Sequence, residues 1–393
     1  MYTFSFDLST PTAVLFGIAL ALSIIFIFIY LRPISKVGTA IRSHAGVSPA
    51  EGVAVPVSVI VYATDQADSL RHLLPVLLGQ NYNAPFEVIV VNEGESDATV
   101  EVVERLRLIH DNLYLTYTPD GARQLSRKKL ALTIGIKAAH HPVVVQTTAS
   151  AVIDSDDWLA HMTAPFADKS TEVVIGLSHL DHNNDRGIGK AMRTFNSSAD
   201  DTTWIWSALS GRPYRGSELN LAYTRESFFN NRGFSRSLNL KNGDDDIFIS
   251  EIARPHNTAV VLNPVAMVTR HNRNIAKAYS NLRDRYYFTG RNISHLWRRI
   301  FAAGTWLLWI IIALCAAAAI ILWPNLLGLT VAAVFVIGLL VAVTIVWRKT
   351  VYALSGRKLL FSIPVLTLCR PFANTVAKIK STAHRRHNYT WIK

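Results

Sequence analysis

Three adjacent aspartates, Asp244, Asp245 and Asp246, stand in the segment GDDDIF at 243–248. Like charges in a row repel, a cost that a chain bears where a site uses them. An acidic start to a helix over 247–253 explains one or two of these carboxylates but not all three. Upstream, NEGESD at 92–97 reads as a turn, with Gly94 at positive φ and Asp97 as a helix cap. The segment SRKK at 126–129 sets Lys128 and Lys129 at a helix start, where a cation suits a phosphate. His179 and His182 share a polar stretch with Asn183 and Asn184, which reads as a loop and not a metal site. Gly187 and Gly189 follow no strand and lack a third glycine, so they make no dinucleotide fingerprint. Two cysteines, Cys315 and Cys369, exclude a disulfide scaffold and a cysteine-cage metal site; both read as reduced thiols.

Apolar patterning indicates what must position these groups. Buried-strand runs cover 57–62, 86–91, 113–117 and 142–146. Helical spacing covers 66–79, 99–109 and 128–139. Strands alternating with helices predict a parallel α/β sheet, with ligands at the carboxyl ends of its strands, here 62–66, 92–97 and 146–150. Residues 33–52 read as a mixed linker. No internal repeat or low-complexity segment is apparent.

Half of the 393 residues are hydrophobic and 17% are charged, which excludes a disordered chain. The net charge of +12 is unevenly placed: residues 348–393 carry ten Lys or Arg and no acid, 301–347 carry no charge, and 33–300 are nearly balanced. A basic tail after an apolar block reads as contact with anionic membrane lipids, not with nucleic acid. Residues 13–30 are long enough to span a bilayer. The start has Asp7 and no Lys or Arg, so an uncleaved anchor is expected in place of a signal peptide. Pro324 and Asn325 divide 301–347 into two spans of roughly 20 residues, with Trp306, Trp309, Trp323 and Trp347 near the ends. Arg32, Lys36, Arg42, Arg298, Arg299, Arg348 and Lys349 all fall on one side if 33–300 and the tail are cytoplasmic. The run 359–368, broken by Pro364, is too short to span and is expected in the interface plane.

The ordered segments VSVIVYATDQ, QNYNAPFEVIVVNEGESDAT, SRKKLALTIGIKAA, PVVVQTTASAVIDSDDWL, GSELNLAYTRESFF and GFSRSLNLKNGDDDIF carry a resemblance. Together with the hairpin and a basic tail closing in YTW, the chain resembles membrane-bound bacterial family 2 glycosyltransferases over about residues 53–300. The resemblance implies a GT-A fold, α/β and Rossmann-like with a mostly parallel sheet. It implies that Tyr62 and Asp65 cradle the nucleotide base, with a helix cap as the alternative for Asp65. It assigns Glu93 to the base and Lys128 or Lys129 to the donor diphosphate. It makes Asp245 the general base beside Asp244, and places Asn220, Asp246, Arg283 and Arg285 on the acceptor side.

One departure stands out. The family's Asp-X-Asp metal motif aligns with Thr148, Ala149 and Ser150, leaving Thr148 and Ser150 on the donor side. Hydroxyls are poor substitutes for the charged oxygens that Mg²⁺ prefers, so Mg²⁺ or Mn²⁺ would lack its carboxylates and no cofactor is assigned. Asp154 and Asp156 form a literal Asp-X-Asp, but Trp158 and Leu159 match the family's Trp-Leu beyond the true site, so these aspartates read as a solvated turn. Residues 281–285 lack the full Gln-X-X-Arg-Trp of processive synthases, and three spans leave little material for a polymer channel.

The resulting expectation is an anchor at 1–32, a cytoplasmic GT-A domain at 33–300, a membrane hairpin at 301–347 and a basic interfacial or cytoplasmic tail at 348–393. The expected activity is inverting, non-processive transfer from a nucleotide-sugar to a membrane-associated acceptor, lipid-linked or glycan. It would serve envelope glycan synthesis at a bacterial inner membrane. The alternative is a catalytically inactive homologue acting as a binding or scaffold subunit of a polysaccharide assembly complex. The missing metal motif favours that alternative; the intact acidic run argues against it. A dehydrogenase on a similar sheet fails for want of a glycine-rich turn after the first strand.

Overall fold

The computed structural model describes residues 10–47, 54–93, 97–118, 125–182, 185–187, 189–270, 272, 274–293, 296–323, 325–383 and 388–390. Gly94, Asn183, Asn184, Pro324 and Trp391, which entered the sequence expectations, lie outside them. The chain forms two compact units. One comprises Met1–Thr39, Arg186–Trp206 and His295–Val376; the other comprises Ala40–Asp185, Ser207–Ser294 and Ala377–Lys393.

Among the described residues, the second unit is built on ten strands: β1 (Val57–Ala63), β2 (Phe86–Asn92), β3 (Leu113–Tyr117), β4 (Val143–Thr148), β5 (Ala151–Ile153), β6 (Val173–Gly176), β7 (Ser178–Leu180), β8 (Leu221–Thr224), β9 (Thr258–Val261) and β10 (Val268–Arg270). The main sheet runs β3-β2-β1-β4-β8-β6-β9, and a small sheet runs β5-β10-β7. Strands β1 to β4 are parallel and β8 is antiparallel to both its neighbours. The β-branched runs of β1, β2 and β4 are buried, as a sheet covered on both faces requires. Register sets Tyr62 opposite Thr148 and Ala63 opposite Asn92, so three carboxyl ends finish side by side. The helix Arg127–Ala138 lies close over β1 and β2. A Cβ on its Gly135 would meet methyls of Ile60 and Val91 at 2.8 Å, so only glycine fits there. His179 lies on β7 and is buried with His182, their ring centroids 5.4 Å apart, which corrects the loop expected there.

Among the described residues, three helices are long and apolar enough to cross a membrane: Pro11–His44, Leu296–Ile321 and Gly328–Ser355. The first is continuous through a π-turn at Ile27–Leu31 and on through Arg32–His44, where the sequence suggested a linker. Large apolar side chains such as Phe28, Ile320 and Val334 are exposed on these helices, a surface suited to hydrocarbon. Tyr30 packs against Phe26, Phe301 and Trp347 inside the first unit. Residues 363–368 begin a longer helix, Ile363–Ala383, that carries Pro371 internally. Its Arg370 is buried and donates to Asn196 Oδ1 at 2.9 Å and Asp200 Oδ1 at 2.8 Å.

The units differ from the sequence division in two places. Residues 186–206 belong with the apolar helices, because Phe195 and Ala199 of the helix Lys190–Leu209 pack into their core. Residues 377–393 belong with the sheet unit instead of forming a separate tail. There Leu240 bridges Tyr389 in antiparallel fashion, Asn388 accepts from Lys241 N at 3.0 Å, and the Tyr389 ring meets Phe288.

Candidate active site

The carboxyl ends of β1 and β2 hold a small polar group. Tyr62 donates its hydroxyl to Glu93, and Thr64 donates to Tyr62 at 2.9 Å. Burial and Glu93 push the Tyr62 phenol upward, so it stays a donor. Arg127 closes the far side of Glu93, its Nε 3.5 Å from Oε1. Asp65 is exposed at positive φ, a strained position for a non-glycine residue. The cap of the following helix is Gln66, so the capping role considered for Asp65 does not hold.

A dense ion-pair cluster stands next to this group, with the Lys128 Nζ 5.6 Å from the Tyr62 ring centre. Glu218 is its hub. Lys128, Arg270 and Arg285 all pair with that one carboxylate, Arg285 at 2.6 Å. Asp244 pairs with Lys128 at 2.6 Å and Arg285 at 3.1 Å. Asp245 accepts from Arg285 at 2.7 Å, from the Tyr286 hydroxyl at 2.6 Å and from Glu218 N at 3.2 Å. Burial alone would raise the Glu218 carboxyl, but Arg285, Lys128 and Arg270 hold it well below the usual range. Burial likewise opposes ionisation of Asp244, and Lys128 with Arg285 keeps it low. Arg285 is held well above its ordinary value: burial works against it, and Asp245, Glu218 and Asp244 outweigh burial.

Local structure explains these positions. Ser126 caps the helix that starts at Arg127, which throws Lys128 toward the acids. Gly243 has φ +112, and a Cβ there would lie 2.7 Å from Ile247 Cδ1, so the turn into the aspartates requires glycine. Gly216 N donates to Asp245 O at 2.8 Å and ties the Glu218 segment to the acidic run. Arg285 and Tyr286 project from the helix Ile275–Thr289.

Several expected site residues serve elsewhere. Lys129 does not face the cluster: it is fully buried and its Nζ donates to Ser237 O at 2.6 Å, Ser237 Oγ at 2.9 Å and Asn242 O at 2.8 Å. Asn220 is fully buried, accepting from Trp158 Nε1 and donating to Leu177 O and Ala266 O. Asp246 caps the helix Ile247–Ile252 and accepts from Thr289. Arg283 donates to the Tyr279 and Tyr287 hydroxyls, both at 3.1 Å. Glu218, Arg270 and Tyr286 were not anticipated. Arg270 and Tyr286 stand outside the segments that carry the resemblance; Glu218 lies within GSELNLAYTRESFF, where Asn220 was singled out in its place.

The place where the family would hold a divalent metal does not fit one. Thr148 and Ser150 bond each other through their hydroxyls at 3.0 Å. Asp154 and Asp156 are exposed, and Asp156 O accepts from Asn81 N in a surface turn. Among the described residues no group of three or more His, Cys, Asp or Glu side chains is arranged to hold a metal ion.

The glycosyltransferase-like family 2 model matches residues 55–289. A mannosyltransferase from Pyrobaculum calidifontis, solved with GDP-mannose and Mn²⁺, aligns over 91% of this chain and 99% of its own, with a TM-score of 0.52 at 19% identity. Glucosyl-3-phosphoglycerate synthase from Mycobacterium tuberculosis, with Mn²⁺, UDP and glucosyl-3-phosphoglycerate, aligns over 61% of this chain and 81% of its own (TM-score 0.41, 14% identity). TarS residues 1–349 from S. aureus, with UDP-GlcNAc, align over 85% of this chain and 92% of that one (TM-score 0.40, 15% identity). Comparison with curated protein sequences gives no match. The family match spans more than half the chain and coincides with the sheet and its acidic run, so this chain belongs to glycosyltransferase-like family 2, a glycosyltransferase with a GT-A fold.

Proposed function

We propose that the chain transfers a sugar, with inversion and one residue at a time, from a nucleotide-sugar to a membrane-associated acceptor. The acceptor is lipid-linked or a glycan, and the reaction serves envelope glycan synthesis on the cytoplasmic face of a bacterial inner membrane. The observation that carries the reading is the position of Asp245, a buried carboxylate held by Arg285 and Tyr286 next to the Asp244–Lys128 pair. Asp245 takes the proton of an acceptor hydroxyl. The oxygen forms its bond to the anomeric carbon as the carbon–phosphate oxygen bond breaks. That electron pair leaves with the nucleoside diphosphate, and Lys128 and Arg285 oppose the charge that develops. The solved mannosyltransferase neighbour holds GDP-mannose, a donor of the class proposed here.

The stereochemistry is testable. Purified full-length protein in detergent, given an α-linked nucleotide-sugar and an isolated lipid fraction, is expected to yield a β-linked product by NMR. An α-linked product would overturn the single displacement and with it the role of Asp245.

Orientation is tested by labelling. Cys369 is exposed, so the background should carry Cys369→Ser. In intact spheroplasts Asn325→Cys is expected to react with an impermeant maleimide, and Ser355→Cys is expected to react only after lysis. The reverse pattern overturns the cytoplasmic placement.

A further inference from the structure

Glu218 is difficult to account for as a packing residue. It is 5% exposed and collects three cations on one carboxylate. Two of those cations are also incompletely used: the Nε of Arg270 and the Nε of Arg285 are buried without an acceptor among the described residues. A guanidinium has five donors in a fixed fork matched to phosphate and carboxylate alike. The cluster therefore has donors for a larger anion than the one it holds. The place where relatives would bring in a divalent cation offers only the Thr148 and Ser150 hydroxyls.

We propose that Glu218 is an internal surrogate for the donor diphosphate. The phosphates displace it from Lys128, Arg270 and Arg285, and they bind there without a divalent metal. The charge count agrees. Arg215 lies over the Tyr286 ring, 3.3 Å from its centre, and joins the same cluster. With Glu218 displaced, Lys128, Arg215, Arg270 and Arg285 face Asp244 and Asp245. The excess of two positive charges equals the charge of a sugar-linked diphosphate. The exchange also draws Arg285 off Asp245, freeing an oxygen for the acceptor proton only once the donor is seated. This inference rests on the nucleotide-sugar reading above and adds to it the means of holding the diphosphate.

Calorimetry on the detergent-purified full chain tests it, with UDP, GDP and inorganic pyrophosphate as probes, each in EDTA and in Mg²⁺. Binding is expected in EDTA, and Mg²⁺ should change the affinity by less than about threefold. Arg270→Gln, at the rim and so expected to fold, should weaken pyrophosphate by about tenfold or more. That variant also separates this site from the basic tail. Glu218→Gln should bind pyrophosphate more tightly, because the competing anion is gone; a purely structural glutamate predicts weaker binding. Asp154→Ala should change nothing. Binding that requires Mg²⁺, or wild-type affinity in Arg270→Gln, overturns this inference and leaves the glycosyltransferase reading standing. No binding of any probe in either condition overturns both. The wild-type and Arg270→Gln arms decide the matter even if Glu218→Gln does not fold.

Discussion

Asp245→Asn is expected to lower transfer by about 10²–10⁴-fold, the usual contribution of a positioned base. The substitution keeps the side chain's size and removes the proton acceptor. In sequence, removing one of three adjacent negative charges looks like a relief of repulsion. In the structure Asp245 is itself paired with Arg285, so the change carries a cost. Breaking a buried ion pair costs about 3–5 kcal/mol when the surviving charge is left alone. Arg285 keeps Glu218 and Asp244, so the loss should fall below that range and the protein should remain folded. Nucleoside diphosphate affinity should stay within a few-fold. Asp246→Asn is the matched control, since asparagine caps a helix as well as aspartate. Burial and Asp245 push the Asp246 carboxyl up to about 6. A raised carboxyl favours the folded state fully below its unfolded value near 3.8, and that contribution is lost as pH rises through 6. At pH 8 Asp246→Asn should therefore be at least as stable as wild type and active. Wild-type turnover in Asp245→Asn would sink the catalytic assignment; so would equal inactivity in a folded Asp246→Asn.

Lys129→Met is expected to lower stability by about 2–4 kcal/mol and abolish turnover through disorder of the acidic turn. Each buried carbonyl left without a donor costs about 1–3 kcal/mol, and Lys129 serves Ser237 O, Leu240 O and Asn242 O. Those carbonyls belong to the loop that leads into Gly243 and the aspartates. Methionine recovers the desolvation cost of the ammonium, which keeps the loss from being larger. The group has its own pH signature. Burial lowers its pKa from 10.5 to about 8, against the pull of Asp244 and Asp246. Between those values the unfolded chain binds the extra proton, so this group makes stability rise with pH across about 8 to 10.5. The rise should be absent in Lys129→Met. Chemical denaturation of both proteins at pH 8 and pH 10 measures it, and an equal slope would show that the lysine is not buried as described.

The neighbouring lysines illustrate where sequence reasoning stops. Consecutive residues on a helix point about 100° apart, so only one of Lys128 and Lys129 can face the acids. Which one depends on the face that Gly135 and Ala131 turn to the sheet. Strands β1, β2 and β4 were legible because buried β-branched runs of six or seven residues carry their own signal, and β3 from its short run LYLTY, which is only partly buried. Strands β5 to β10 have three or four residues and show too little period to read. The acidic run, Lys128 and Arg285 stood in recognisable segments. Glu218 and Arg270 acquire their meaning from contacts with residues far away in sequence, Lys128 being 90 positions from Glu218. The helix Lys190–Leu209 has no reading from the sequence, since its Asn196 and Asp200 acquire their partner, Arg370, only from 170 or more positions away.

The pairing of Asn388–Thr390 with residues 239–241 has a consequence in time. Every residue that lines the acidic cluster has left the ribosome once 286 has emerged. The segment that covers the adjoining loop follows only after about a hundred further residues, among them two of the apolar helices. At roughly 5–20 residues per second that interval lasts on the order of 5–20 seconds. Throughout it the loop at 237–241 has its bonds to Ser126 and Lys129 but lacks those to Asn388 and Thr390. The site is thus finished after the helical hairpin has been made, so a nascent chain stalled before the hairpin would expose an incomplete site.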